Sequence, residues 1–121
     1  MTTERRDDPP PFLVACLCAA WCRTCDEYRA TFESLQRQFG TQAAFRWVDI
    51  EDDEDALGNL DVVDFPTLLI AEGEVVHFAG PVLPHAQAAR QLIERALRHE
   101  LAPVSDPVLA GLPGRIAALR G

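Results

Sequence analysis

The sequence predicts an α/β domain: a mixed four-stranded sheet flanked by helices, in the order β-α-β-α-β-β-α. Three observations predict it. A continuously apolar run, Phe12–Cys18, directly follows three prolines, which is the look of a strand buried on both faces. A stripe of apolar residues at helical spacing follows that run. Farther along, two short apolar segments meet at Glu72–Gly73, the signature of an antiparallel hairpin.

Each element has its own reason. Residues 22–39 read as a helix because Tyr28, Phe32, Leu35 and Phe39 fall on one face, and Gly40 supplies a stop. Residues 44–50 read as the second strand. Residues 51–60 carry acids at their front end, which suits the positive end of a helix dipole and predicts a second helix. Asp64–Phe65–Pro66–Thr67 makes a bend, and strands 67–71 and 74–79 form the hairpin. Residues 85–100 form an amphipathic helix through Ala89, Leu92, Ile93, Ala96 and Leu97. The first strand–helix–strand unit requires a parallel pairing, whereas the hairpin adds antiparallel strands, so the sheet is mixed.

These elements divide the chain into an extended or disordered tail over 1–11, a domain over 12–101, and an extension over 102–121. In the extension, Asp106–Pro107 reads as a cap and first-turn proline. Val108, Leu109, Leu112, Ile116 and Leu119 make short apolar turns, which either pack on the domain or bind a partner.

Composition limits what the chain does. With 121 residues, 48% hydrophobic and a formal net charge of -8, it suits one globular domain and disfavours nucleic acid and anionic membrane surfaces. All 11 basic residues are arginine, so a lysine Schiff base is excluded. The polar, proline-ended start lacks the pattern of a secretory signal, and no run approaches a membrane span. A cytoplasmic address is the expectation, with the four cysteines mostly reduced rather than locked in a framework.

Trp21-Cys22-Arg23-Thr24-Cys25 carries the chemistry. Thiol–disulfide exchange needs one thiolate to attack and a second thiol to resolve the mixed disulfide. Two intervening residues at a helix start bring two sulfurs into range, and free N–H groups there favour a thiolate. Cys22, at the turn, is the expected nucleophile; Cys25, one turn in, is the expected resolving thiol. Arg23 adds a cation beside Cys22.

With this motif the chain resembles the thioredoxin family over about residues 12–100. The apolar strand at 12–18, Ala20-Trp21-Cys22-Arg23-Thr24-Cys25, Phe65-Pro66-Thr67 before an apolar strand, Gly73 in the hairpin turn and Gly80 after it carry the resemblance. It implies a cis peptide at Phe65–Pro66 lying against the cysteine pair. It also implies a substrate groove in which Phe65 pairs its backbone with the substrate chain and Trp21 flanks it. Trp21, Phe65 and Pro66 are therefore the expected substrate-binding residues. The chain departs from the family where a buried acid normally precedes the first cysteine by six residues: Cys16 stands there, and Trp47 aligns with that acid's partner lysine. Without this base, slower exchange or a shifted potential is expected.

Cys16 and Cys18 leave three readings open. Core packing is the plainest. Zinc held by all four cysteines is disfavoured, since strand residues two apart are separated by about 6.6 Å, against about 3.8 Å between two thiolates on one zinc. The third is a redox role with Cys16 near Cys25. The acids at 51–55 lack calcium-loop spacing. His77, His85 and His99 have no Cys or acid at ligand spacing and are assigned no chemistry.

The expected function is a thiol–disulfide oxidoreductase acting on protein disulfides, recharged by an upstream reductant, monomeric and without a bound cofactor or metal. The alternative is a thioredoxin-like binding or assembly module with little exchange, using the Trp21–Phe65 groove or the C-terminal turns to hold a partner.

Overall fold

The computed structural model describes residues 11–119; the predicted tail thus lies outside the described residues except for Pro11. Its core is a four-stranded sheet ordered β2-β1-β3-β4. The strands are β1 Phe12–Cys18, β2 Ala43–Asp49, β3 Thr67–Glu72 and β4 Val75–Pro81. β1 pairs parallel with β2 and antiparallel with β3, and β3 pairs antiparallel with β4. The mixed sheet is the expected one.

β1 is apolar throughout because it lies between two strands with both faces covered. Side chains alternate across a strand, so Phe12, Val14, Cys16 and Cys18 enter one core and Leu13, Ala15 and Leu17 the other. β3 divides the same way: Leu68 and Ile70 against Leu69 and Ala71.

The first face is covered by α1, Arg23–Phe39, and α3, Ala86–Leu97. α1 presents Cys25, Tyr28, Phe32, Leu35 and Phe39, all buried, which is the stripe read from the sequence. Cys22 is its N-cap residue rather than its first helical one. α3 ends before the predicted Glu100 because His99 turns left-handed at φ 60°. There the Glu100 N–H donates to Arg95 O and the His99 N–H to Ala96 O, which closes the helix end.

The second face departs further from expectation. The predicted helix over 51–60 shrinks to α2, Glu54–Leu57. Asp49 Oδ1 accepts from the Glu51 and Asp52 N–H groups at 2.8 and 3.0 Å, and Asp53 Oδ2 accepts from the Asp49 N–H at 3.0 Å. Asp49, just ahead of the predicted helix, and Asp53 within it thus build turns that compete with a helix, and Gly58 at φ 60° ends the short helix that follows. Four residues are too few to cover this face. The C-terminal segment covers it instead, with a 3₁₀ turn at Pro107–Leu109 and a short helix, α4, at Leu112–Ala117. Leu109, Leu112 and Ile116 are buried against Leu13, Leu17, Val48 and Leu69. Arg115 Nε donates to Ala56 O at 2.8 Å, tying α4 to α2.

Candidate functional site

The site forms where β1 passes into α1. After Cys18 the chain turns, with the Cys22 N–H donating to Ala19 O at 3.1 Å. That turn brings the start of α1 back over the end of its own strand. Cys22 stands at the N-cap, half-buried and with a free thiol; among the described residues no side chain caps the helix there. Cys25, in the first helical turn, points into the core and is 1% exposed.

The predicted groove residues come together. The rings of Trp21 and Phe65 meet edge to face, 5.4 Å apart. Trp21 is 66% exposed although it is a large apolar side chain. The Phe65–Pro66 peptide is cis, as the resemblance implies. Pro66 is buried, and its carbonyl accepts from the Val82 N–H at 3.1 Å, which fixes the loop against the end of β4. Phe65 and Cys22 pack against the same core as Cys25. Among the described residues, neither the N–H nor the carbonyl of Phe65 has a partner.

The cysteines depart from the expected pairing. Cys25 is disulfide-bonded to Cys18, with Cα atoms 5.8 Å apart, and Cys22 is not part of that bond. Cys16 is not the cysteine at Cys25; it stands with its sulfur 3.6 Å from that of Cys18. A disulfide sulfur carries no hydrogen, so the Cys16 thiol donates to it. The two side chains lean together, well inside the spacing of their strand positions. Core burial of Cys16 and Cys18 holds, but Cys18 does more than fill space. The available signal was strand alternation: Cys16 and Cys18 share the face that α1 covers, and Cys18 is the strand's last residue. Among the described residues, no group of three or more His, Cys, Asp or Glu is arranged to hold a metal ion.

The position expected to lack a buried acid holds a group that ionises only with difficulty. Burial pushes the Cys16 thiol up from 9.0 to about 12, with Arg29 acting weakly in the opposite direction. Burial, reinforced by the neighbouring Cys16, pushes the Tyr28 hydroxyl up from 10.0 to about 12. That hydroxyl is buried without a hydrogen-bond partner among the described residues. Trp47 lies opposite Cys16 in the β1–β2 register and carries the Arg29 guanidinium 4.8 Å above its ring.

These shifts predict an alkaline stability loss. The unfolded chain releases the Cys16 and Tyr28 protons at lower pH than the folded one. Their contribution is complete below about pH 9 and is lost as pH rises toward 12. Each group costs at most about 1.4 kcal/mol per pH unit. Urea unfolding above pH 10 should therefore show Cys16→Ala losing stability at roughly half the wild-type rate. Equal slopes for the two proteins would remove Cys16 from this account.

His77 and His99 gain an acid that their sequence spacing did not reveal. Glu72 Oε1 lies 3.3 Å from His99 Nε2 and 3.7 Å from His77 Nε2. This group stands beside Phe12, at the opposite end of β1 from Cys18.

The thioredoxin family model matches residues 6–93. The chain belongs to the thioredoxin family. It is 28% identical over 80 residues to a thioredoxin of Bacillus subtilis, covering 65% of this chain and 76% of that one. Its fold is similar to the crystal structure of Fasciola hepatica thioredoxin, with TM-score 0.64 and 21% identity, over 72% of this chain and 82% of the other. It is also similar to the germline-specific thioredoxin Deadhead of Drosophila melanogaster, with TM-score 0.63 and 19% identity, over 69% and 79% of the two chains. Family membership together with a disulfide-forming cysteine pair makes thiol–disulfide oxidoreduction the general class of its chemistry. No helix among the described residues is long and apolar enough to cross a membrane.

Proposed function

We propose that this thioredoxin-family chain reduces protein disulfides, with Cys22 as nucleophile and Cys25 as resolving thiol. The observation that carries the reading is the setting of Cys22. It is the partly accessible sulfur, at a helix N-terminus with no side-chain cap, whereas Cys16, Cys18 and Cys25 are buried. Attack begins at a sulfur that a protein substrate can reach.

The steps follow. The Cys22 thiolate attacks one sulfur of the substrate disulfide, forming a mixed disulfide and releasing the other substrate sulfur as a thiolate, which takes up a proton. The Cys25 thiolate then attacks Cys22, releasing the second substrate thiol and leaving a Cys22–Cys25 bond for an upstream reductant to open. Trp21 and Phe65 offer an exposed aromatic wall, and the unpartnered main chain of Phe65 offers a donor and an acceptor to an extended substrate segment. Pro66 holds that segment of main chain in place. The reading includes a monomer in a reducing, cytoplasmic setting.

The alternative as a partner-holding module loses one support. The apolar side of the C-terminal turns is buried against the sheet and is not offered to another protein.

The test is trapping. Cys25→Ser, mixed with a disulfide-containing protein such as insulin, should accumulate a covalent adduct through Cys22 that a reducing agent releases. A Cys22→Ser, Cys25→Ser double variant should form none. Adduct formation that persists in the double variant, or is absent from Cys25→Ser, would overturn the assignment.

A further inference from the structure

We infer that Cys18 is a third redox cysteine, which takes Cys25 from Cys22 and moves the disulfide into the core. The inference rests on the reading of Cys22 and Cys25 as the exchange pair and extends it.

Cys25 is within bonding range of Cys18, with Cα atoms 5.8 Å apart, and the two are joined. Cys25 also lies three residues beyond Cys22, so both occupy one side of the first turn of α1. Cys25 thus has two neighbouring cysteines: Cys18 beneath, to which it is bonded, and Cys22 one turn away at the N-cap. Cys18 and Cys25 are each 1% exposed, and Cys22 is the accessible member of the three. A disulfide between Cys18 and Cys25 is therefore shielded from any protein-sized reductant.

The transfer is an isomerisation and needs no outside oxidant. The Cys18 thiol loses its proton and attacks Cys25. The Cys18–Cys25 bond forms, the Cys22–Cys25 bond breaks, and Cys22 leaves as a thiolate that takes up the proton. One disulfide is consumed and one is made. Cys16 positions the step by donating its thiol hydrogen to the Cys18 sulfur across 3.6 Å. Burial keeps Cys16 protonated and hence a donor. The oxidised protein then has two isomers. In one, the disulfide is at the surface and open to reductants. In the other it is sequestered, and Cys22 is again a free thiol.

The sequence supplies a direct way to distinguish them, because Arg23 separates Cys22 from Cys25. Fully reduced protein is oxidised with glutathione disulfide, quenched in acid at intervals, alkylated after unfolding in denaturant, then cleaved after arginine. Cys16, Cys18 and Cys22 fall in one peptide, 7–23, and Cys25 in another, 24–29. The two peptides should stay linked in the oxidised protein. The alkyl group should move from Cys18 at early times to Cys22 at equilibrium. In native oxidised protein, iodoacetamide should label Cys22, and Cys18→Ala should reduce that labelling at least tenfold.

Retention of the Cys22–Cys25 link at every time, with Cys18 always alkylated, would overturn the inference and leave the proposed function standing. Linkage to Cys18 from the earliest time, with no Cys22–Cys25 species even in Cys18→Ala, would overturn both. Stoichiometric zinc in anaerobically purified reduced protein, with all four thiols blocked, would overturn the inference as well.

Discussion

Leu112→Ala and Ile116→Ala, each made alone, are expected to lower unfolding stability by about 2–5 kcal/mol, and the pair together to leave little folded protein. Both side chains are fully buried. They fill the second core beneath Leu13, Leu17 and Leu69, where α2 contributes only Leu57 and Ala56 to burial. Removing either leaves a cavity that a six-residue helix, anchored by Arg115 to Ala56 O, cannot close by shifting. A domain of this size has only about 5–15 kcal/mol in total. The two sites share a core, so their costs need not add. Leu83→Ala is the comparison: Leu83 is 64% exposed, and its truncation should change stability by less than about 0.5 kcal/mol. Urea unfolding decides. Losses under about 1 kcal/mol for both buried variants would mean that the C-terminal segment is an appendage to the fold, not part of it.

Much of this architecture was legible from periodicity, because burial on one or two faces leaves a period in the chain. Phe12–Cys18 had to be central, and Tyr28 through Phe39 had to cover one side of it. What was not legible is where local polar groups outcompete a pattern. The acids at 51–55 read as a helix start, and the Asp49 carboxylate decided for turns instead by bonding two N–H groups. Likewise the apolar side chains of 108–119 announced that they needed cover without saying whose. That question is answered only when α2 proves too short to shield its side of the sheet. For the cysteines, the motif singled out Cys22 and Cys25 as candidates because their spacing is local. Cys18 acquires its partner through the turn at Ala19–Cys22, a tertiary fact that no spacing rule expresses.

Cys22→Ser should abolish disulfide turnover, by about a thousandfold or more, since a serine hydroxyl is not ionised at neutral pH and a buried cysteine cannot substitute for it. Insulin reduction with an excess of dithiothreitol as the regenerating reductant measures it. The buried sulfurs make this variant informative in a second way. Cys22→Ser retains Cys18 and Cys25, and both remain enclosed beneath α1. It should therefore still form the internal disulfide with a small oxidant such as glutathione disulfide, while failing to exchange with a folded protein. Loss of turnover with retained internal oxidation separates the two jobs: access belongs to Cys22, and storage belongs to the pair beneath it. Turnover above a tenth of wild type in Cys22→Ser would show that substrates reach Cys25 or Cys18 directly. The burial of those sulfurs would then not govern the chemistry, and the division between a surface thiol and a core disulfide would fail.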